Sequence, residues 1–344
     1  MQDRLINFDI PTMPMTYPDI PKDYPISQRE NLMRALNHEK PLYMPILETA
    51  SQFSPMYGYG DIPPTLFADG TDWFGVFYKF TEAQGTSTPM PGMFAEVGEW
   101  REKVKWPDFE TWDWEKGKDE FFRDENLALF MQFGYGTFEK LHTFEGFEQA
   151  FMDLLLEPEE CRAFFDRMVD HKIEVFKRMD AVYNYDYVIY NDDWCSARGP
   201  FFSMEVFENT ILEPTIRHIK AFKDAGKKVI FHTCGLMNNF APYFAERIKP
   251  DGIQIQHINN IDYLIKAYGD KLSINFYPDE YILYNPVTTP DDAREYAREL
   301  VDKYGAHVNP GSGLIAHAWA LREEVYHAFT DEIFTYSLEK YKGL

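Results

Sequence analysis

The residues around which this sequence is organised are Lys228-Val229-Ile230-Phe231-His232-Thr233-Cys234-Gly235. Residues 229–231 are predicted to form a short buried strand, and residues 237–248 an amphipathic helix that follows it. His232 and Cys234 come at the tip of the strand, two positions apart, where side chains of an extended chain project from the same side. A nitrogen and a sulfur ligand suit zinc, so the two side chains could bind one ion. On spacing alone, a hydrogen-bonded histidine beside a buried thiol is the simpler explanation.

Strands and helices alternate along the C-terminal half of the chain. Strands are predicted at residues 187–190, 229–231, 252–256, 272–276 and 306–309. Helices are predicted from Ser203 to Gly226 with an interruption at Pro214, at residues 237–248, 261–268 and 290–304, and from about Leu321 onward. Parallel-sheet enzymes keep their chemistry at the carboxyl ends of their strands, and the His-Cys pair comes at such an end.

The part of the chain before residue 187 supplies further elements of the same kind. A capping box at residues 27–30 opens a helix that reaches Asn37, and strands are predicted at residues 43–47, ending at Glu48, and at residues 127–133. A long helix is predicted at residues 158–184. The count of strand-helix units predicts an α/β protein of the (β/α)₈ TIM-barrel type. A doubly wound open sheet is the alternative architecture.

Two segments stand outside this regular pattern. Residues 1–26 are rich in proline and are predicted to form an extended N-terminal arm, so that residues 27–344 form a single TIM-barrel domain. Residues 49–120 are predicted to be an irregular insertion that covers the mouth of the barrel. A set of short strands and turns is the alternative for this segment. Its candidate pocket residues are Met56, Tyr57, Tyr59, Met90, Met93 and Phe94.

The composition limits the classes of partner and the compartment. The 344 residues include 56 acidic and 34 basic side chains, a formal charge of −22, which argues against binding to nucleic acid or anionic membranes. Three cysteines fit no disulfide framework. Neither a signal peptide nor an apolar run of membrane-spanning length is evident, so a cytoplasmic protein is expected. No dinucleotide or P-loop motif occurs.

A barrel would bring several polar residues together at its mouth, because the carboxyl ends of parallel strands meet at one edge. Two adjacent aspartates point to opposite sides of an extended chain, so at most one of Asp192 and Asp193 is expected to face the centre. The other use of such a pair is to cap a turn. His142, His307 and His317 are weaker candidates. The expected rim residues are Glu48, Asp192, Asp193, His232, Cys234, His257 and Ser312.

Four segments of the chain resemble the uroporphyrinogen decarboxylase superfamily: residues 191–194, 198–201, 231–235 and 309–313. The similarity extends over most of the chain from about residue 27, and it implies a TIM barrel. The His-x-Cys-Gly run is similar to that of the corrinoid-dependent methyltransferase branch. In that branch the pair binds zinc together with a later cysteine, which implies His232 and Cys234 as metal ligands here. This chain has Ser312 where the later cysteine is expected.

The loss of one thiolate has a chemical consequence. Each thiolate donates charge to zinc, so an ion held by one thiolate, one imidazole and an oxygen is a stronger Lewis acid. Such an ion suits the polarisation of an ether oxygen. The resemblance therefore implies a methyltransferase that demethylates a small methoxylated aromatic compound and passes the methyl group to the Co(I) centre of a corrinoid protein. Glu48, Asp193 and Ser312 are the candidates that complete the coordination or orient the substrate.

Three alternatives remain open at this point. The first is a methyltransferase that moves a methyl group from a methylcorrinoid to a thiol. The second is a porphyrinogen decarboxylase, whose polyanionic substrate is held in the family by arginines near the first strand; residues 43–52 contain none. The third is a barrel that has lost catalysis and only binds a ligand or a partner. The sequence also leaves a homodimer open.

Overall fold

A computed structural model of the protein describes residue 17 and residues 22–54, 69–81, 86–115, 117–308, 313–318 and 321–344. These residues form a mixed α/β structure around one large, curled parallel sheet of seven strands. This architecture is compatible with a TIM-like fold, and the closed eight-stranded barrel remains a prediction. Within the described residues, no helix is both long and apolar enough to cross a bilayer.

The strands of the described residues belong to three sheets. The large sheet has the order β1-β5-β6-β9-β10-β11-β12, and smaller sheets are formed by β2-β3-β4 and by β7-β8. The strands are β1 Ser51–Phe53, β2 Gly70–Thr71, β3 Phe77–Thr81, β4 Thr86–Met90, β5 Ala128–Phe133, β6 Tyr187–Asn191, β7 Cys195–Ser196, β8 Gly199–Pro200, β9 Lys228–His232, β10 Gly252–Ile255, β11 Ser273–Phe276 and β12 Leu314–Ala316.

Helices precede, separate and follow the strands of the large sheet. The α-helices are α1 Gln28–Leu36, α2 Leu47–Ala50, α3 Trp100–Lys103, α4 Thr137–Glu145, α5 Phe147–Leu156, α6 Pro158–Tyr183, α7 Met204–Val206, α8 Leu212–Asp224, α9 Ala241–Tyr243, α10 Ile261–Tyr268, α11 Glu280–Leu283, α12 Pro290–Tyr304 and α13 Glu323–Lys342. Short 3₁₀ helices are Val97–Glu99, Phe109–Thr111, Asn238–Phe240 and Gly305–Val308, and π-helical segments are Phe207–Ile211 and Phe244–Ile248.

The register of the large sheet aligns the carboxyl ends of its central strands. All its strand pairs are parallel, and His232 on β9 lies between Asn191 on β6 and Gln254 on β10. The two ends of the sheet approach each other at one further point. Ile46, which precedes α2 and β1, forms an isolated parallel bridge with Ala316 on β12, and this places the start of the sheet beside its last strand.

Alternating side chains of the strands belong to two different cores. Val229 and Phe231 pack in the large core between the sheet and the outer helices, whereas Ile230 joins a smaller core with Leu32 and Leu36 of α1. Helix α1 therefore covers the amino end of the concave face, where Ser273 Oγ donates a hydrogen bond of 2.6 Å to the carbonyl of Ala35. The alternation directs His232 and Gln254 to the concave face at its opposite, carboxyl end.

The helix that precedes β9 is continuous, although Pro214 predicts an interruption. The backbone is helical from Met204 to Asp224 and contains the π-helical segment Phe207–Ile211 just before Pro214. Proline lacks an N–H group and its ring collides with the carbonyl four residues earlier, so an α-helix cannot accommodate it without adjustment. The wider π turn is the adjustment here, and the helix continues through it.

Two predicted strands are misplaced. The strand predicted at residues 306–309 is wrong, because Gly305–Val308 is a 3₁₀ helix and the last strand is β12 at Leu314–Ala316. Near the start, only Ile46 of the segment 43–47 pairs with a strand, while Leu47–Ala50 forms helix α2. Short apolar runs of this kind carry no periodicity that separates strand from helix, so neighbouring elements decide their conformation.

The described part of residues 49–120 is more regular than predicted. It contains the antiparallel sheet β2-β3-β4 and short helices, which corresponds to the alternative of short strands and turns. Trp73 and Phe74 from this segment pack edge-on against His171 of α6. Of the candidate pocket residues, Phe94 is buried in the large core and Met90 is 52 % exposed, while Met56, Tyr57 and Tyr59 lie outside the described residues. That this segment covers the mouth stays a prediction.

A carboxyl pair formed by the last residue of α4 and a residue of α5 predicts how stability depends on pH. Burial, and then the carboxylate of Asp153, raise the pKa of Glu145 to about 9 from its ordinary 4.5. The folded state therefore keeps a proton that the unfolded state has lost, and this contribution to stability is fully present below pH 4.5 and is lost as pH rises toward 9. Glu145→Gln is expected to remove this dependence.

Urea unfolding at pH 6, 7 and 9 measures the effect. Between pH 7 and 9 the wild type should lose about 1 kcal/mol more unfolding free energy than Glu145→Gln, a figure reduced because the side chain is partly exposed. Glu148→Gln, which neutralises an exposed carboxylate three residues further on, is the matched control and should follow the wild type. Equal pH dependence of the wild type and Glu145→Gln would contradict the assignment.

Candidate active site

His232 is held by two neighbours at the carboxyl end of β9. Its Nδ1 lies 2.8 Å from Gln254 Oε1, and its Nε2 lies 3.3 Å from Cys234 Sγ. An amide oxygen accepts a hydrogen bond, so the imidazole proton belongs on Nδ1 and the Nε2 lone pair faces Cys234. The ring is 8 % exposed, which leaves it few alternative orientations.

Asp193 completes a group of three donor atoms. Its Oδ1 is 3.9 Å from His232 Nε2 and accepts a 2.7 Å hydrogen bond from the backbone N–H of Cys234. One nitrogen, one sulfur and one oxygen atom of these three residues all lie within 4.8 Å of one another. Zinc accepts imidazole, thiolate and carboxylate ligands, and such a set fits it well. Asp193 supplies the third donor atom of this group. The resemblance to the methyltransferase branch implies a later cysteine in that role, and this chain has Ser312 at its position.

The loop that carries Cys234 is fixed by its backbone. Gly235 has a φ of +83°, and a Cβ atom on it would lie 2.6 Å from the carbonyl oxygen of Ser196. Its N–H donates a hydrogen bond of 2.7 Å to Gln256 Oε1, and its carbonyl accepts one of 2.9 Å from Asn259 Nδ2. Glycine is therefore required here for both its conformation and its size, and the turn holds the thiol toward His232.

The two adjacent aspartates have different surroundings. Asp192 is buried, and its carboxylate accepts hydrogen bonds from the backbone N–H groups of Phe138 and Glu139 at the start of α4 and from the hydroxyl of Thr137. It acts as the cap of a neighbouring helix. Only Asp193 belongs to the donor group. The two adjacent side chains thus contact different neighbours, Asp192 the start of α4 and Asp193 the backbone of Cys234.

The charges around the donor group favour a cation. Burial, followed by the carboxylates of Asp193 and Asp192, raises the pKa of Glu139 well above its ordinary value, which reflects crowded negative charge. Burial lowers the pKa of His232, and Asp193 opposes this effect. A neutral imidazole with an available lone pair is the form that binds a metal ion.

A cavity of about 130 Å³ opens beside the donor group on the concave face of the sheet. Phe53, Phe130 and Tyr277 give it aromatic walls, and Gln132 Nε2 on β5 donates a hydrogen bond of 3.2 Å to Asn191 Oδ1 on the neighbouring strand β6. Among the described residues that line the cavity, none is lysine or arginine. The lining consists of Leu47, Glu48, Ser51, Phe53, Phe130, Gln132, Ile189, Asn191, His232, Gln254, Tyr277 and His317.

Glu48 and His317 form a second polar group in this cavity. Glu48 Oε1 contacts His317 Nδ1, and Glu48 Oε2 accepts a 2.7 Å hydrogen bond from the backbone N–H of Ala318. Both side chains are 3 % exposed. The ring of Tyr277 is near both histidines, with its centroid 3.9 Å from that of His317 and 6.1 Å from that of His232. Glu48 thus orients His317 and is not part of the donor group.

The other residues predicted for the rim do not belong to the donor group. His257 lies 3.7 Å from Asp279, and His142 stacks on Phe147. His307 is in a 3₁₀ helix and Ser312 lies outside the described residues. Gln254 and Tyr277 went unrecognised in the sequence. Both residues occupy alternate positions in or directly after a strand, and their side chains point to the concave face. This pattern can be recognised only when the bounds of the strands are known.

Replacement of Gln254 is expected to weaken zinc binding. Gln254→Leu removes the group that keeps the His232 proton on Nδ1, so the ring loses its orientation toward Cys234. Zinc affinity is expected to fall roughly 10- to 100-fold, the size found for partners of metal-bound histidines. Competition with a zinc-binding dye measures it.

Gln256→Leu tests the specificity of that effect. Gln256 Oε1 accepts a hydrogen bond from the backbone N–H of Gly235, whereas the oxygen beside His232 Nδ1 belongs to Gln254, so the loss of Gln256 should weaken zinc binding less than Gln254→Leu does. An affinity for zinc that is unchanged in Gln254→Leu would show that the tautomer is set in another way.

A family model matches the segment that contains most of this site. The model, described as Uroporphyrinogen decarboxylase (URO-D), matches residues 142–331, which is more than half of the 344-residue chain. The matched segment includes Asp193, His232, Cys234 and His317, and Glu48 lies before it. No curated protein matches the chain. The protein belongs to the uroporphyrinogen decarboxylase family.

Proposed function

We propose that this protein is a methyltransferase that moves a methyl group from a methoxylated aromatic compound to the Co(I) centre of a corrinoid protein. The observation that carries the proposal is the pairing of the Asp193, His232 and Cys234 donor group with an adjoining cavity that has aromatic walls and neither lysine nor arginine in its described lining. The corrinoid-dependent branch of the family remains part of this proposal.

The donor group is the place for zinc in this proposal. Asp193, His232 and Cys234 would hold the ion, and Gln254 would orient the imidazole from behind. Bound zinc would supply Lewis acidity toward an ether oxygen, so that the aryl oxygen becomes a better leaving group. A single thiolate among the protein donors favours this use over the activation of a thiol substrate, because fewer thiolates leave the ion more electron-poor.

The cavity walls suit a flat and uncharged substrate. Phe53, Phe130 and Tyr277 provide surfaces against which an aromatic ring packs, and the Gln132 and Asn191 amides provide hydrogen bonds for ring substituents. The residues orient the substrate and exclude water from its ether oxygen, which is the contribution that positioning makes to catalysis.

The same lining argues against the decarboxylase alternative. A porphyrinogen carries many carboxylates, and such a substrate needs basic side chains at its binding site. The described lining has neither lysine nor arginine, and it presents the buried carboxylate of Glu48. A formal charge of −22 adds unfavourable long-range repulsion. Methyl transfer from a neutral ether meets neither obstacle.

The proposal is tested with a reduced corrinoid protein and a panel of methoxyarenes. The full-length zinc-loaded protein should convert the visible spectrum of Co(I) to that of methyl-Co(III), and the matching phenol should appear in equal amount. Demethylation of a methylcorrinoid by a thiol, with no transfer from ethers, would favour the thiol alternative. Absence of both reactions and of bound zinc would refute the proposal.

A further inference from the structure

We infer that the amide of Asn191 selects the substrate by binding a second, uncharged oxygen on the ring, next to the methoxy group, and this inference rests on the proposed methyl transfer. Asn191 is the last residue of β6, and its side chain lines the cavity. It is paired with His232 across the ladder between β6 and β9. The two side chains are therefore neighbours at the carboxyl end of the sheet.

The Asn191 amide has one end engaged and the other available. Its Oδ1 accepts the 3.2 Å hydrogen bond from Gln132 Nε2, and this contact fixes the orientation of the amide. The NH₂ group is then the end that a molecule in the cavity meets. Within the described part of the chain, Nδ2 of Asn191 has no hydrogen-bond partner. A donor left without a partner in a partly buried site favours a ligand that brings an oxygen acceptor to it.

The place of Asn191 in the sheet indicates which substituent it contacts. In the proposed function the ether oxygen lies at the donor group of Asp193, His232 and Cys234. Adjacent strands are about 4.8 Å apart, so a side chain on β6 reaches an atom close to the one that lies beside β9. Oxygens on neighbouring ring positions meet this condition, whereas oxygens at opposite ends of a ring do not. The substrate class is therefore a methoxyarene with a second oxygen in the ortho position.

The charges of the cavity indicate that this second oxygen is neutral. The amide donor is uncharged, and the described lining contains neither lysine nor arginine. Four segments outside the described residues, 55–68, 82–85, 309–312 and 319–320, contain neither of them in the sequence. A substrate carboxylate would be buried near the carboxylate of Glu48 without a lysine or arginine to pair with it. Such burial of an unpaired anion is costly.

Two probes of the same shape test the hydrogen bond to Asn191. 1,2-Dimethoxybenzene and 1-ethyl-2-methoxybenzene differ by one oxygen in place of a methylene group. Calorimetric titration of the full-length protein, with zinc added and without a corrinoid protein, measures binding in the absence of turnover. The wild type should bind the dimethoxy probe about 10-fold more tightly than the ethyl probe, the size expected for one hydrogen bond. 2-Methoxybenzoate should bind at least about 10-fold more weakly than the dimethoxy probe.

Replacement of Asn191 should abolish the preference between the two probes. Asn191→Leu keeps the approximate size of the side chain and removes the donor, so both probes should bind within about 2-fold of each other. Gln132 is a positioning residue, and Gln132→Leu should lose part of the preference because the Asn191 amide can then turn. Ile189→Val changes an apolar side chain of the same cavity and is the matched control, which should keep the wild-type ratio.

The outcomes separate this inference from the proposed function. Equal binding of both probes by the wild type, no binding of either, or tighter binding of 2-methoxybenzoate would overturn the inference. So would an unchanged ratio in Asn191→Leu, or in Gln132→Leu where that variant alone folds. If the wild type shows the expected preference and yet transfers no methyl group from any methoxyarene to a corrinoid protein, the proposed function fails while the binding site for the second oxygen stands.

Discussion

At the proposed zinc site, alanine in place of Cys234 is expected to reduce bound zinc from the one ion per chain that the proposal implies to the background level. Of the three donors, the thiolate donates the most electron density to zinc. Without it, only the two ligands Asp193 and His232 are left. Loss of a direct ligand exceeds the effect of removing a residue that only orients one, so the affinity should fall by more than ~100-fold. Elemental analysis and dye competition on the purified full-length chain measure the change, and His232→Ala should behave in the same way.

Cys161→Ala is the control for the loss of a thiol as such. Cys161 is buried in α6, outside the donor group, and its substitution should leave zinc content unchanged. Retention of stoichiometric zinc in both Cys234→Ala and His232→Ala would remove the metal centre from this part of the molecule. The proposed function would then have no means of activating the ether oxygen.

Alanine in place of Gly235 is expected to cause the largest loss of stability. The new Cβ would meet backbone atoms of Ser196 at 2.6 Å and of Cys195 at 2.7 Å, and the residue would also keep a φ of +83° that alanine adopts at a cost. Backbone atoms of β7 cannot move aside as a flexible side chain can. We expect a loss of roughly 3–5 kcal/mol in the free energy of unfolding, measured by urea denaturation.

Gly226→Ala isolates the steric part of that effect. Gly226 has a similar φ of +78°, but a Cβ atom there would have nothing within 4 Å. This variant should lose only about 1–2 kcal/mol, the cost of the left-handed conformation. The difference between the two variants measures the collision with β7. Equal losses would show that the loop after β9 moves freely, and zinc binding by Gly235→Ala would then be expected to persist.

The site is built by the ends of strands that are far apart in sequence. Asp193 follows β6, His232 ends β9, Gln254 lies in β10 and His317 follows β12. The parallel register brings these ends to one edge, as in enzymes with parallel sheets generally. This explains why the polar residues of the cavity fall on the inward positions of their strands, while the intervening residues are apolar and pack against the outer helices.

Local patterns sufficed for the alternation of strands and helices, for most helix bounds, and for the shared direction of His232 and Cys234. The hydrophobic periods of strands (two residues) and helices (3.6 residues) extend over only a few positions, and so do helix caps. They can therefore be recognised from neighbouring residues in the sequence. The same local reasoning separated the directions of Asp192 and Asp193. It failed at residues 43–47 and 306–309, where short apolar runs have no period of their own.

Long-range packing alone assigned the partners within the site. The hydrogen bonds of Asp193 to Cys234, of Gln254 to His232 and of Glu48 to Ala318 join residues 41, 22 and 270 positions apart. No sequence period spans such distances, because these contacts depend on the curl and register of the whole sheet. A strand pattern therefore predicts that His232 faces inward, whereas only the assembled sheet decides which oxygen, amide or ring it meets there.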